Sequence, residues 1–187
     1  KSIRCGRNFE YYSEDPLVSG FFAAAVTAGV QSHKGRFVTI KHYACNNQEF
    51  NRYQNNSVVS ERALREIYLR GFGICIRESK PGAVMTSYNL LNGIHTSEDA
   101  FLNENILRAE FGFDGIVMTD WIVMGGNFNR QAKYGGPRAD KIAGAGHSLV
   151  MPGGGSDVKA ILAGLKEKTV SRKKLMINAS RLLKLMD

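Results

Sequence analysis

Two hydrophobic periods alternate along the chain. Behind Asp15 and Pro16, the residues Leu17, Phe21, Phe22, Ala25 and Val26 recur at three- and four-residue spacing, which returns side chains to one face of a helix. Asp15 suits the N-cap, and Pro16 the first helical position, where a missing N–H costs nothing. Gly35 is expected to close this helix. A short apolar run at residues 37–40 (FVTI) lies between charged residues and reads as a buried strand. Ser60 is expected to cap a second helix whose stripe of Leu64, Ile67, Tyr68 and Phe72 is assigned to the core.

The alternation then repeats. Residues 83–88 (AVMTSY) predict a strand, and Ser97 a cap for a helix carrying Phe101, Leu102, Ile106 and Leu107, ended by Gly112. Residues 115–121 (GIVMTDW) predict another strand, followed by a Gly-rich loop and a short helical segment at 140–145. Residues 148–151 predict a fourth strand, stopped by Pro152 and three glycines. Two basic amphipathic helices follow. Ser171 caps the second, which presents Leu175, Ala179, Leu182, Leu183 and Met186 on one face. Strands alternating with helices of this length imply an α/β fold with βαβ units and a parallel sheet, either open and doubly wound or part of a barrel. No solenoid-type repeat or low-complexity linker interrupts residues 1–187, which read as one unit.

Composition narrows the class. With 43% hydrophobic and 22% charged residues, disorder, collagen and coiled coil are excluded. The longest purely apolar stretch, residues 21–26, is six residues, against roughly 20 for a membrane-spanning helix, so no membrane is expected. The net charge of +8 (25 − 17) suggests a nucleic-acid partner until its distribution is considered. Residues 159–184 hold eight bases and one acid, Glu167, whereas the first 158 residues hold 17 bases and 15 acids. The excess is read as the solvated face of the terminal helices, which leaves a nucleic-acid-binding module as a lesser alternative. Cys5, Cys45 and Cys75 are odd in number and show no CxxC or metal-ligand spacing. Three free thiols in a reducing, cytoplasmic compartment are expected, with no metal and no cofactor.

In parallel α/β folds, loops converge at the carboxyl ends of the strands, and the site lies there. The first predicted strand runs into Lys41 and His42, the second into Tyr88 and Asn89, and the third into Asp120 and Trp121. Gathered round one pocket, such residues suit a neutral polyhydroxylated ligand: charged groups bind hydroxyls and an indole stacks on a sugar ring. A carboxylate there can also attack an anomeric carbon, as retaining glycosidases do through a covalent glycosyl-enzyme. Taken singly, each residue has a structural reading. Asp120 can be a cap, Trp121 core, His42 a hydrogen-bonded structural histidine and Lys41 a surface charge.

Six ordered segments say more: residues 6–20 (GRNFEYYSEDPLVSG), 41–52 (KHYACNNQEFNR), 60–72 (SERALREIYLRGF), 85–93 (MTSYNLLNG), 107–121 (LRAEFGFDGIVMTDW) and 145–153 (AGHSLVMPG). Together the series resembles the catalytic barrel of glycoside hydrolase family 3, in its β-glucosidase branch. The resemblance spans nearly the whole chain. It implies roughly the second half of a TIM-type (β/α)8 barrel and a substrate with a terminal β-linked glucose, either a β-glucoside or a short β-linked oligosaccharide. It further implies Asp120 of TDW as the catalytic nucleophile. Arg7 of GRNFE, the Lys41–His42 pair and Tyr88 of SYN then line the glycone subsite, with Trp121 as the ring platform. Charge-assisted hydrogen bonds from Arg7 and Lys41 to sugar hydroxyls fit these roles, as does a Tyr88 that orients the carboxylate.

Departures from the family pattern matter too. The pair at 41–42 is followed by YACNNQE and not by the PGHG-type loop of the N-acetylglucosaminidase branch. AGHS stands at 145–148 where many relatives read AGND, and Gly73 where a glutamate is common. At 187 residues the chain is below the roughly 250 of a complete barrel. Relatives carry earlier strand–helix units and a further domain that supplies the acid/base carboxylate, and both are expected to be absent here. Retention needs two carboxyl groups about 5–5.5 Å apart, and the sequence nominates only Asp120. Glu49, Glu61 and Glu66 remain as seconds, the latter two on a helix expected outside the barrel. The chain is therefore expected to be inactive alone, its open sheet edge and apolar faces covered by self-association or by the other barrel units. A non-catalytic carbohydrate-binding relative is the alternative, and the presence of Asp120 counts against it.

Overall fold

The computed structural model describes residues 2–124 and 133–187. Most of the Gly-rich loop expected after Trp121 lies outside the described residues. A 3-10 turn at Asn8–Glu10 leads into α1 (Pro16–Gln31). The Asp15 carboxylate caps α1 as expected, accepting from the backbone N–H groups of Leu17 (2.7 Å) and Val18 (3.2 Å). Next come β1 (Thr39–Tyr43), the short β2 (Asn56–Ser57), and a long helix built from α2 (Glu61–Ala63), a π-helical stretch (Leu64–Tyr68) and α3 (Arg70–Ser79). β3 (Ala83–Thr86), the hairpin β4 (Leu90–Leu91) and β5 (Ile94–His95), a π-helical segment Phe101–Glu110 and β6 (Ile116–Met118) follow. α4 (Ala139–Gly144), α5 (Gly155–Glu167) and α6 (Arg172–Met186) complete the series.

β1, β3 and β6 form a parallel sheet in chain order, and Leu149 extends it by a parallel bridge to Met118. These are consecutive βα units of a TIM-type barrel. The register fixes the faces. Ile40, Val84 and Val117 pair across the sheet and are buried in one cluster with Leu64, Leu69, Ile76, Leu102, Ile106 and Leu107 from the helices. Side chains alternate along a strand, so the next row, Lys41, Met85 and Met118, turns to the opposite face. Between Lys41 and Tyr43 the register slips. Such a bulge re-aims the chain at a strand end, and here His42 and Tyr43 are both buried. The Lys41–His42, Tyr43–Ala44 and Met151–Pro152 peptide bonds are cis.

Several expectations shift by a few residues. The first strand begins at Thr39 instead of Phe37, which is exposed, because the buried row that meets β3 starts at Ile40. The helix after β5 is capped by Asp99, whose carboxylate accepts from Leu102 N (3.0 Å). Ser97 lies in the preceding turn, where Glu98 N bonds His95 O (2.8 Å). Residues 148–151 make no full strand. They pair through Ser148 N to Val117 O (2.8 Å) and Thr119 N to Leu149 O (3.1 Å). α1 ends at Gln31, and Gly35 lies in the turn beyond it with φ +73°.

Two helical faces differ more deeply. On α1 the buried residues are Gly20, Ala24 and Thr27, while Leu17, Phe21, Phe22 and Val26 are exposed. Close approach to α3 decides this: a Cβ on Gly20 would lie 2.8 Å from Ile74 Cβ, so only small side chains fit between the helices. On α6, Asn178 is buried and Leu175 and Leu182 half-buried, but Leu183 and Met186 are exposed. Its rotation is set by polar contacts. Asn178 donates to Ala143 O (2.8 Å), and Lys174 (3.2 Å) and Arg181 (3.6 Å) meet Glu104. Part of the basic excess is thus used within the fold, with Lys184 paired to Asp114 as well.

Buried polar groups brace the later units. Arg108 donates to the carbonyls of Phe113, Gly115 and Gly146, tying its helix to the start of β6. His147, fully buried, holds Thr86 Oγ1 at 3.0 Å, and burial followed by the charge of Arg108 lowers its pKa from 6.5 to about 3. The unfolded chain therefore binds a proton between about 6.5 and 3 that the folded chain does not, and this contribution to stability is lost as pH falls through that window. Chemical unfolding of the wild type against His147→Asn across this range checks it. The wild type is expected to lose stability relative to the variant, by at most about 1.4 kcal/mol per pH unit, whereas parallel curves would contradict the account.

Candidate active site

The carboxyl ends of β1, β3 and β6 bring the predicted residues to one place. Asp120 stands two residues beyond β6, and only 6% of it is exposed. A buried carboxylate is costly unless donors surround it. Its Oδ1 accepts the backbone N–H of Trp121 at 2.7 Å. Its Oδ2 lies 3.3 Å from His42 Nε2, yet no aligned hydrogen bond reaches that oxygen among the described residues. One oxygen is anchored and the other is buried without an aligned donor.

The His42 ring arrives on the bulged end of β1. Its Nδ1 is 2.5 Å from the Tyr11 hydroxyl, and that oxygen also accepts the backbone N–H of His42 at 3.3 Å. Tyr11 follows the 3-10 turn of the GRNFEYY segment, so the N-terminal stretch is tied to β1 at this point.

Tyr88, beyond β3, donates its hydroxyl to Trp121 O at 2.7 Å. Burial and then the negative charge of Asp120 push this phenol well above its ordinary value, so it remains a donor. The Arg52 guanidinium lies 4.1 Å over the Tyr88 ring, a cation–π distance, and is held by Glu49 at 3.1 Å. The Trp121 backbone thus serves both neighbours, while the residue itself is 56% exposed. Ile122 follows with φ +53°, an outlier for a β-branched residue, held by its N–H to Met151 O (2.9 Å).

Arg7 and Lys41 converge on a residue that sequence reasoning missed. Glu10 accepts two hydrogen bonds from Arg7 (2.6 and 2.7 Å) and one from Lys41 Nζ (3.0 Å). The Arg7 hydrogen bond is the main cause that lowers the Glu10 carboxyl to about 2. Tyr11 and Arg52 were missed as well. The three-residue step from Arg7 to Glu10 within GRNFE was a readable signal, but no sequence spacing relates Tyr11 to His42 or Arg52 to Tyr88.

The other carboxylates are occupied elsewhere. Glu61 and Glu66 are exposed on the outer helix and pair with Arg65 and Arg62. Glu49 holds Arg52 and accepts from Asn46 Nδ2 at 3.1 Å. No cluster of three His, Cys, Asp or Glu suited to a metal occurs among the described residues. A cavity of about 380 Å³ is walled by Tyr11, Val26, Ile40, His42, Phe72 and Cys75, among others. It lies along β1 between α1 and α3, and Asp120 is not among the residues that line it.

The Arg7–Glu10 pair gives a direct check. Side-chain carboxyl NMR of Glu10 is expected to titrate near 2 in the wild type and to move up towards 4.5 in Arg7→Met. An unchanged titration would show that Arg7 does not set it.

Comparison with known proteins places the chain in a family. The sequence profile described as the glycosyl hydrolase family 3 N terminal domain matches residues 1–185. A β-glucosidase of Ruminococcus albus is 56% identical over 116 residues, 62% of this chain and 12% of that protein. The probable beta-glucosidase J of Emericella nidulans is 41% identical over 183 residues, 97% of this chain and 20% of that protein. Among solved structures, β-glucosidase 3B of Thermotoga neapolitana in complex with glucose superposes with a TM-score of 0.86 at 43% identity, over 97% of this chain and 25% of that one. The Kluyveromyces marxianus β-glucosidase in complex with glucose gives 0.85 at 32%, over 97% and 21%. The chain therefore spans about a fifth to a quarter of the length of relatives matched along nearly all of it, and it belongs to glycoside hydrolase family 3, within the N-terminal domain.

Proposed function

We propose that this chain carries the nucleophile of a retaining β-glucosidase acting on terminal, non-reducing β-linked glucose. The observation that carries the reading is Asp120 itself: Oδ1 anchored by Trp121 N, Oδ2 buried without an aligned donor. A nucleophilic carboxylate needs one oxygen held and one lone pair free. Oδ2 attacks the anomeric carbon, the new C–O bond forming as the glycosidic C–O bond breaks. The leaving oxygen takes a proton from a general acid, and water then releases the sugar from the covalent intermediate. Arg7, Lys41 and His42 face the sugar hydroxyls, and the exposed Trp121 ring is the platform. The family membership and the likeness to β-glucosidases solved with glucose support this substrate class.

A general acid must hold a proton near neutral pH. Glu10, held near 2, has none to give, and Glu49, Glu61 and Glu66 are tied to arginines. We assign the acid to another part of a longer polypeptide. Preceding βα units of that polypeptide would also cover the edge of β1 and the exposed Phe21, Phe22 and Val26 of α1, consistent with the way unpartnered edges and apolar patches are normally closed.

In the complete enzyme, Asp120→Ala is expected to abolish hydrolysis of an aryl β-glucoside. Added azide should restore release of the aryl group and yield the α-glucosyl azide, because a small anion can take the vacated place on the sugar face. Full activity in the variant, or a β-configured azide product, would overturn the assignment. The 187-residue chain alone is expected to hydrolyse the same substrate slowly or not at all, and normal turnover would contradict the external acid.

A further inference from the structure

The segment that carries Asp120 leaves its next two residues in solvent. Asp120 and Val123 are buried, but Trp121 and Ile122 between them are each 56% exposed. Ile122 also departs from ordinary backbone geometry. Of the six non-glycine residues with positive φ among the described residues, it alone is β-branched, at φ +53°. A branched Cβ crowds the backbone in the left-handed region, so this conformation costs stability and persists only where neighbouring contacts impose it.

Such contacts hold the turn on both sides of Trp121. Its N–H is held by Asp120 Oδ1 at 2.7 Å. The peptide group joining Trp121 to Ile122 is fixed at both ends, its carbonyl accepting from the Tyr88 hydroxyl at 2.7 Å and its N–H donating to Met151 O at 2.9 Å. Val123 then returns to the interior in one cluster with Tyr88 and Ile142. An isoleucine gives this turn little by way of folding. Its side chain is half in water, and glycine would take the same backbone without strain.

The position suggests what the side chain is for. A terminal glucose enters with its far end first and presents C1 to Asp120, so the group attached to C1 runs out past the exposed rim. The Cα of Ile122 is at most about 7 Å from that of Asp120. Beside the Trp121 platform, a branched alkyl chain enlarges the apolar surface at this rim and adds no charge.

We infer that Ile122 is a specificity-determining residue: it extends the Trp121 surface to the leaving group and favours alkyl and aryl aglycones over small or polar ones. The inference rests on the reading of Asp120 as nucleophile and deepens it by naming the class of leaving group. The contact is made only while the aglycone is attached. It therefore acts on transfer of the sugar to Asp120 and not on hydrolysis of the covalent intermediate.

In the complete enzyme, the test is the ratio of kcat/KM for octyl β-glucoside to that for methyl β-glucoside. The wild type is expected to favour the octyl compound, and Ile122→Ala and Ile122→Gly to lose at least about fivefold of that preference, while Ile122→Val keeps most of it. Thermal unfolding of the same variants reads the backbone. Ile122→Gly should melt above Ile122→Ala, the reverse of the usual order, because only glycine is at ease with this φ. An unchanged ratio, with both substrates affected alike or neither affected, would overturn the leaving-group role. An alanine variant as stable as the glycine variant would overturn the claim that the turn is held in a strained form. Activity retained in Asp120→Ala would strike at the nucleophile instead, whatever the ratio at Ile122.

Discussion

Burying the carboxylate of Asp120 is the constraint on which the site depends. A charge taken out of water destabilises the fold unless dipoles replace its hydration, and three separate segments surround this one. The turn after β6 gives the backbone N–H of Trp121 to Oδ1, the bulged end of β1 brings the His42 ring to 3.3 Å from Oδ2, and the Tyr88 phenol comes from beyond β3 with its own proton on Trp121 O. Parallel register brings these ends together, since Ile40, Val84 and Val117 lie in one row. A slip of one residue in any strand would turn its site residue to the other face.

Further side chains hold these groups in place. Tyr11 braces His42, Arg52 lies over Tyr88, and Glu10 gathers Arg7 and Lys41. Preorganised charge of this kind does the electrostatic work of catalysis without reorganising during the reaction. The pairing also shows how Arg7 and Lys41 stay in position: two cations side by side repel, and the Glu10 carboxylate between them offsets that repulsion.

Much of this was legible in the sequence where a local rule decides the outcome. Asp15 before Pro16 gave a cap, the βαβ alternation gave the parallel sheet, and TDW at a strand end marked Asp120. Reading failed where tertiary approach overrides periodicity. The bulky residues of α1 look like a core stripe, yet the close crossing at Gly20 reverses the helix. On α6, one amide bond from Asn178 and the cations meeting Glu104 outweigh the leucines in setting rotation. Partners such as Tyr11 with His42 lie 31 residues apart, and no single-sequence pattern records that proximity.

The exposed face of α1 and the single anchored carboxylate fit the proposal that these βα units work as part of a larger barrel. Trapping the covalent intermediate tests that account most directly. Incubating the complete enzyme with a 2-fluoro β-glucoside and mapping the labelled peptide by mass spectrometry should place the sugar on Asp120. A label on any other carboxylate would contradict it.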